Sequence, residues 1–456
     1  MRRLRIALLI AAPPLLASCA TYRPLPLADV RGADSVADLA VPAEGLRFPA
    51  GSPHRFDPTD GLDVTETATL AVANSPALKL KRDQLGVARA QSFAAGLLPD
   101  PQLSVGKDFP VHSGPGLTSA YNLGLSEDLG AWLTRSSRVS AARSQASQVS
   151  LELFWDEWQA VAQARLLFGQ VLNLRAQAVR LDAERAALAP VSAYVRKALQ
   201  AGNLTYDAAS AGLNAVSDVE QRSAANALAL HQAEAELRRL IGLAPRAPLP
   251  LSGSPYAPQP TDAQMDGALA DLPHRRPDLL ALQAGYQAQE AKLRGAILAQ
   301  FPALVLGFNQ ARDTSNITTR GFSLGITLPL FDRNRGNIAI ETATRQQLRD
   351  EYAARLLSAR SDAWRLQADL QTLANQQAGL RRHARALDQA RASAERAWHA
   401  NLLDWPTYLA IRSNALTADL DLLAVEQERE KQAIALEALL GNTDIPIPTA
   451  AQASQP

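Results

Sequence analysis

The two halves of this chain are copies of one another, and only a fold with an internal twofold repeat accommodates that. Asn74-Ser-Pro-Ala-Leu78 aligns with Arg275-Arg-Pro-Asp-Leu279, which sets Pro76 opposite Pro277. The same offset pairs Pro101 with Pro302, Leu103 with Leu304, Gly106 with Gly307, and Leu123-Gly124-Leu125 with Leu324-Gly325-Ile326. After a slip of two residues, Ala201 meets Ala400 and Leu240-Ile241-Gly242 meets Leu439-Leu440-Gly441. Residues 61–243 and 263–441 are therefore two structural units with one element order. The Pro- and Ser-rich stretch 244–262 reads as a linker, and 442–456 as a C-terminal tail.

Each unit reads as helix, two strands, very long helix, helix. In the second, Phe322, Leu324, Ile326, Leu328 and Leu330 alternate with Ser323, Gly325, Thr327 and Pro329, which predicts a strand over 320–330 with one greasy and one small face. Its partner is expected at 303–312, and the first unit offers strands at 102–110 and 119–128. Each has the length that a tilted membrane strand needs, about ten residues. In the helices, Leu366, Leu370, Leu373, Gln377, Leu380, Ala384 and Leu387 step by alternating fours and threes, as do Tyr408, Ile411, Ala415, Ala418, Leu422 and Val425. That period implies coiled-coil packing, and its alanines imply close approach. A helix from Ala131 to Gln200 would be on the order of 100 Å long. A single helix from Leu62 to Leu97 and another from Tyr206 to Leu243 would together match its length.

The N-terminus places the chain outside the cytoplasm. Arg2, Arg3 and Arg5 precede an apolar run from Ile6 to Ala17, too short for a bilayer span but right for a signal-peptide core. Residues 1–18 then form the signal peptide, and Leu16-Ala17-Ser18-Cys19 resembles a bacterial lipoprotein processing site at which Cys19 is acylated. Cys19 is the only cysteine, so an intrachain disulfide is excluded. Ala20, in place of Asp, implies the outer membrane, and 19–60 reads as an extended lipidated leader. Any membrane span must then be built from strands. Four strands cannot close a barrel whose smallest form has about eight, so identical copies must contribute sheet. Three copies give about twelve strands and a hollow helical cylinder. Charge names no partner: 46 Lys and Arg stand scattered against 45 Asp and Glu, which argues against nucleic acid.

Gly96-Leu-Leu-Pro-Asp-Pro-Gln-Leu-Ser-Val105, Phe301-Pro-Ala-Leu304 and Leu328-Pro-Leu-Phe-Asp-Arg-Asn-Arg-Gly-Asn-Ile338 resemble the strand-entry and strand-exit motifs of the outer-membrane efflux protein (TolC-like) family. The similarity runs from Leu62 to Gly441. It implies a mainly α fold with a small β part, in which long antiparallel coiled-coil hairpins form an α-barrel and four strands per chain enter a trimeric transmembrane β-barrel. It implies a homotrimer embedded in outer-membrane lipid, docking with a periplasmic adaptor and an inner-membrane resistance-nodulation-division transporter. The Phe331–Asn337 phrase and the Leu98-Pro-Asp-Pro101 entry look closer to the heavy-metal branch than to the drug-export branch.

The same resemblance makes adaptor-docking tips of the turns carrying Ala201, Gly202, Asn203 and Leu204, and Ala400, Asn401, Leu402 and Leu403. Gly202 suits a left-handed turn residue, and Leu204, Leu402 and Leu403 offer apolar anchors unless they only staple the turn. Where family members carry acidic constriction rings, this chain has Thr407 and Ala410, which leaves Asp207, Asp404 and Tyr408 as gate candidates. Asp404 serves equally well as an N-cap. No nucleophile elbow, zinc motif or phosphate loop is present, so neither an enzyme nor a cofactor is expected. Phe154, Trp155 and Trp158 read as helix-packing aromatics. The competing readings are a periplasmic adaptor lipoprotein, whose hairpin is not duplicated, and a soluble coiled-coil envelope protein.

Overall fold

The computed structural model describes residues 22–27, 31–40, 56–57, 60–112, 114–253 and 262–441. The signal segment, Cys19, most of the leader and the C-terminal tail lie outside the described residues. The chain divides into two units at Gly32 and Ala33. In the first, residues 22–27 have no regular secondary structure. The second holds every helix and strand described below.

Helices α1 (Val64–Asn74) and α2 (Pro76–Gly96) lead into strands β1 (Gln102–Asp108) and β2 (Ala120–Asp128), then α3 (Gly130–Gln200) and α4 (Tyr206–Leu240). The order repeats in α5 (Asp262–Arg275), α6 (Pro277–Leu298), β3 (Ala303–Arg312), β4 (Thr318–Thr327), α7 (Arg335–His399) and α8 (Trp405–Leu440). The fold is mostly helical with one four-stranded sheet. No described helix is long and apolar enough to cross a membrane.

The helix expected across Leu62–Leu97 is two helices. The break falls at Ser75, with φ −57° and ψ 122°, and the second repeat breaks at the equivalent Arg276, with φ −75° and ψ 121°. Proline follows each, and its ring clashes with a helical conformation at the residue before it. The turn is otherwise kept: Ser75 N–H still reaches the Ala71 carbonyl at 3.2 Å, and Arg276 N–H the Leu272 carbonyl at 3.1 Å. Two strand ends also differ from expectation. β1 stops at Asp108, ahead of Pro110, and β4 occupies Thr318–Thr327, leaving out Leu328-Pro329-Leu330. Proline has no N–H to give a ladder, so both strands end short of one.

The long helix α3 packs along α1, α2, α4, α6 and α8, while α7 packs against α6 and α8. Every seam position singled out in α7 and α8 is buried or half-buried, as a 3.5-residue period requires. Two equivalent cores hold the repeats together. One gathers Leu70, Val171, Leu237 and Ile241; the other Leu272, Ala363, Leu436 and Leu440. Between them Phe154 and Trp158, edge to face at 6.1 Å, pack with Ile434 and Ala438. The described part of the linker is structural. Leu62 N–H bonds the Pro250 carbonyl and Ser252 N–H the Leu62 carbonyl, each at 2.9 Å, while Ala247 and Leu249 enter the first core.

Candidate functional site

The strands form one antiparallel meander, β1-β2-β3-β4, so β1 and β4 are its outer members. Cross-strand partners share a face, and the register therefore assigns every side chain to a side. Leu103 pairs with Leu125, Leu125 with Phe308, and Phe308 with Phe322. Val105 pairs with Leu123, and Leu306 with Leu324. One face is thus a continuous apolar band, and its members stand exposed, Val105 at 75% and Phe322 at 84%. The rings of Phe308 and Phe322 lie 5.4 Å apart.

The other face is small and polar. Ser104 pairs with Gly124, Gly106 with Asn122, and Gly307 with Ser323. A Cβ on Gly124 would collide with the Ser104 hydroxyl, and one on Gly307 with that of Ser323. The duplicated glycines therefore keep this face thin. Apolar side chains on a wide face and glycine on a narrow one suit a sheet that curves toward its small side.

At the opposite end of the helices, the two turns are built alike. Gly202 has φ +72°, with Asn203 N–H bonded to the Ala198 carbonyl at 2.8 Å. Asn401 has φ +57°, with Leu402 N–H bonded to the Ala397 carbonyl at 2.8 Å. Both are left-handed C-terminal caps, and asparagine tolerates that region where glycine is missing. Ala201, Asn203, Ala400 and Leu402 are exposed, whereas Leu204 and Leu403 are half-buried, Leu403 against the tip core. Only Leu402, at 81% exposure, is a free apolar projection among the three leucines.

The gate candidates fall in different settings. Asp404 caps α8: Thr407 N–H donates to Oδ1 at 2.8 Å and the Thr407 hydroxyl to Oδ2 at 3.0 Å. That backbone bond holds its carboxyl below the usual aspartate range. Asp207 lies exposed in the first turn of α4. Tyr408 is buried at 1% exposure, stacked on Trp398 at 5.3 Å, and its hydroxyl donates to Glu395 Oε2 at 2.6 Å. Burial, then the Glu395 bond, push that phenol up to about 12. Within the protomer its side chain is committed to holding α7 against α8.

Beneath Tyr408 lies a buried charged cluster that belongs to no sequence motif. Arg412 reaches Glu184 on α3 and Glu395 on α7 while also donating to the Tyr408 hydroxyl at 3.1 Å. Burial alone would raise the Glu395 carboxyl, but the bond from Tyr408 and the Arg412 charge bring it below the usual range. The signal was legible: Glu184 interrupts the apolar seam Leu181, Leu188, Val191, Val195 at a seam spacing. Among the described residues no group of three His, Cys, Asp or Glu could hold a metal ion.

A four-stranded sheet set on a duplicated set of very long helices is a fold shared with solved outer-membrane channels. Campylobacter jejuni CmeC, an outer membrane channel, matches with a TM-score of 0.72 at 14% identity, over 93% of this chain and 94% of that one. The outer-membrane channel OprN matches with a TM-score of 0.71 at 16% identity, over 94% of this chain and all of that one, 100%. In sequence, Protein CyaE of Bordetella pertussis is 29% identical over 326 residues, which span 64% of this chain and 66%, just under two thirds, of that protein. A family model described as outer membrane efflux protein matches residues 269–442. The second repeat thus matches the outer membrane efflux protein model, and the whole chain shares its fold with solved outer-membrane channels.

Proposed function

We propose that this chain is the outer-membrane exit duct of a tripartite efflux pump, conducting small molecules or metal ions passively from the periplasm to the outside. The observation that carries this is the sheet: four strands with an exposed apolar band on one face and glycine on the other. Hydrocarbon tolerates such a sheet only when both outer strands are paired, which identical neighbours accomplish. Three protomers supply about twelve strands, within the range of known membrane barrels. Trp132, Phe301 and Phe331 stand exposed near the helical end of the band, and Phe109 near the loop end, where interfacial belts belong.

The helices then extend into the periplasm, and the turns at Gly202 and Asn401 are the ends on which an adaptor docks, with Leu402 as its apolar anchor. The adaptor in turn joins the channel to an inner-membrane resistance-nodulation-division transporter. Residues 1–18 are removed, and Cys19 is acylated in the outer membrane. No step needs catalysis by this chain, because transport is powered elsewhere. The strand-exit phrase Phe331–Asn337 favours the heavy-metal branch for its cargo.

Membrane fractionation followed by unheated gel migration tests this. A trimer in the outer-membrane fraction is expected. A monomer in the inner-membrane fraction would point instead to an adaptor.

A further inference from the structure

The apolar face of the sheet is not apolar to its end. Toward the β1–β2 and β3–β4 loops the same face carries Lys107, Arg312 and Arg320, while the small face carries no Lys or Arg at all. Lys107 pairs with Tyr121, and Tyr121 with Arg312, which puts the two cations in one row, two strands apart, or about 10 Å. Arg320 sits on β4 opposite Gln310, one face position down from Arg312, at a diagonal of about 7–8 Å.

None of the three makes an ion pair among the described residues. Lys107 Nζ lies 4.9 Å over the Phe109 ring, and the Arg312 guanidinium 5.2 Å over the Tyr121 ring. Arg312 also donates to the Ser119 carbonyl at 3.1 Å, and its Nε is buried with no acceptor. Of the carboxylates adjacent in sequence, Asp108 falls on the small face opposite Ala120, and Asp313 accepts from the Ser315 and Ile317 N–H groups at 2.9 Å. Three uncompensated cations next to an apolar band ask for an anion that is itself attached to hydrocarbon.

We propose that Lys107, Arg312 and Arg320 form a binding strip for a membrane lipid bearing more than one phosphate, of the phosphorylated glycolipid class. The inference rests on the channel reading, which puts this face in lipid and the loop end toward the outside. Two guanidinium groups offer forked donors that match phosphate oxygens, and the lysine adds a point charge to one side. Backbone spacings of about 7 to 10 Å leave the strip room for more than one phosphate.

The test is native mass spectrometry of the detergent-solubilised full chain with added diphosphoryl lipid A, phosphatidylglycerol or phosphatidylethanolamine. Wild type is expected to retain lipid A at least tenfold better than phosphatidylethanolamine, and K107Q/R312Q/R320Q to lose that preference. Arg320→Gln alone, at an exposed position without a partner, should lower it several-fold while leaving assembly intact. Undiminished lipid A retention in the triple variant would overturn the strip, and equal retention of phosphatidylglycerol would overturn the requirement for more than one phosphate. A co-purifying polypeptide lost only from the variants would reassign the surface to a protein. Failure of the channel reading is separate: wild type would then not reach the outer membrane as a trimer at all.

Discussion

Arg412 and Glu184 face each other as a two-pronged ion pair across 228 residues of sequence, with Nε at 3.0 Å from Oε1 and Nη2 at 2.7 Å from Oε2, both side chains under 10% exposed. The pair joins the first repeat to the second just above the tips, and Glu395 and Tyr408 complete its hydrogen bonds. Removing one member leaves a buried charge without its partner, which typically costs 3–5 kcal/mol. Arg412→Ala should therefore lower the thermal midpoint of the solubilised protein sharply. Replacing both members by apolar residues of similar volume, E184L with R412M, should restore most of the loss. If the single variant unfolds like wild type, the pair contributes nothing.

Glu430 has the opposite problem. Its carboxylate lies against Gly169 of α3, where a Cβ would collide with it, and it makes no ion pair among the described residues. Burial raises its pKa to about 7. An acid raised in the folded state binds more protons there than when unfolded, so stability falls as pH rises from the ordinary carboxylate range to about 7 and then levels. Glu430→Gln should stabilise the protein at pH 8 by at most about 3 kcal/mol, less as solvent screens a partly exposed group, and leave it unchanged near pH 4. Paired denaturation curves at the two pH values measure this.

What could be read from the residues was whatever the repeat states twice. The paired positions Gly106 and Gly307, Pro76 and Pro277, and Ala201 and Ala400 align two copies of one solution, so the element order and the strand faces follow from local pattern. Alternation fixes which side of a strand a residue takes, and a period of fours and threes fixes a helix seam. The proline breaks show where pattern reading stops. Hydrophobic periodicity continues smoothly through Ser75 and Arg276, and only the steric restriction before proline marks the kink. Glu184 stands out as a charge in an apolar seam, but its pairing with Arg412 is beyond pattern, because the two meet only once α3 and α8 are packed. Tyr408, by contrast, turns inward as its place in the seam of fours and threes requires.

The two tips predict an asymmetry. Gly202 at φ +72° occupies a region that any Cβ disfavours, whereas Asn401 at φ +57° already bears that cost. Gly202→Val should destabilise the first hairpin by about 1–2 kcal/mol, and Asn401→Gly should be neutral or slightly stabilising. Protease sensitivity at the two turns, compared between the variants, reports each directly.

The acylation proposed at Cys19 needs its thiol, the group that would carry the lipid. Cys19→Ser should abolish labelling by radioactive palmitate while leaving the duplicated body able to assemble. Continued labelling of the variant would contradict the lipoprotein reading of Leu16-Ala17-Ser18-Cys19.

The sharpest test of the sheet uses neighbours on one strand. Leu324 lies in the apolar band, paired with Leu306, and Ser323 lies on the small face, paired with Gly307. A charge on the hydrocarbon side of a barrel strand costs on the order of 2–4 kcal/mol for a base at the midplane and less for an acid, whereas a charge on the inner side meets water. Leu324→Lys should therefore deplete the trimer on unheated gels, and Ser323→Lys should leave it near the wild-type amount. Equal tolerance of both would mean that neither face meets lipid, and the strands would then be an ordinary sheet in solvent.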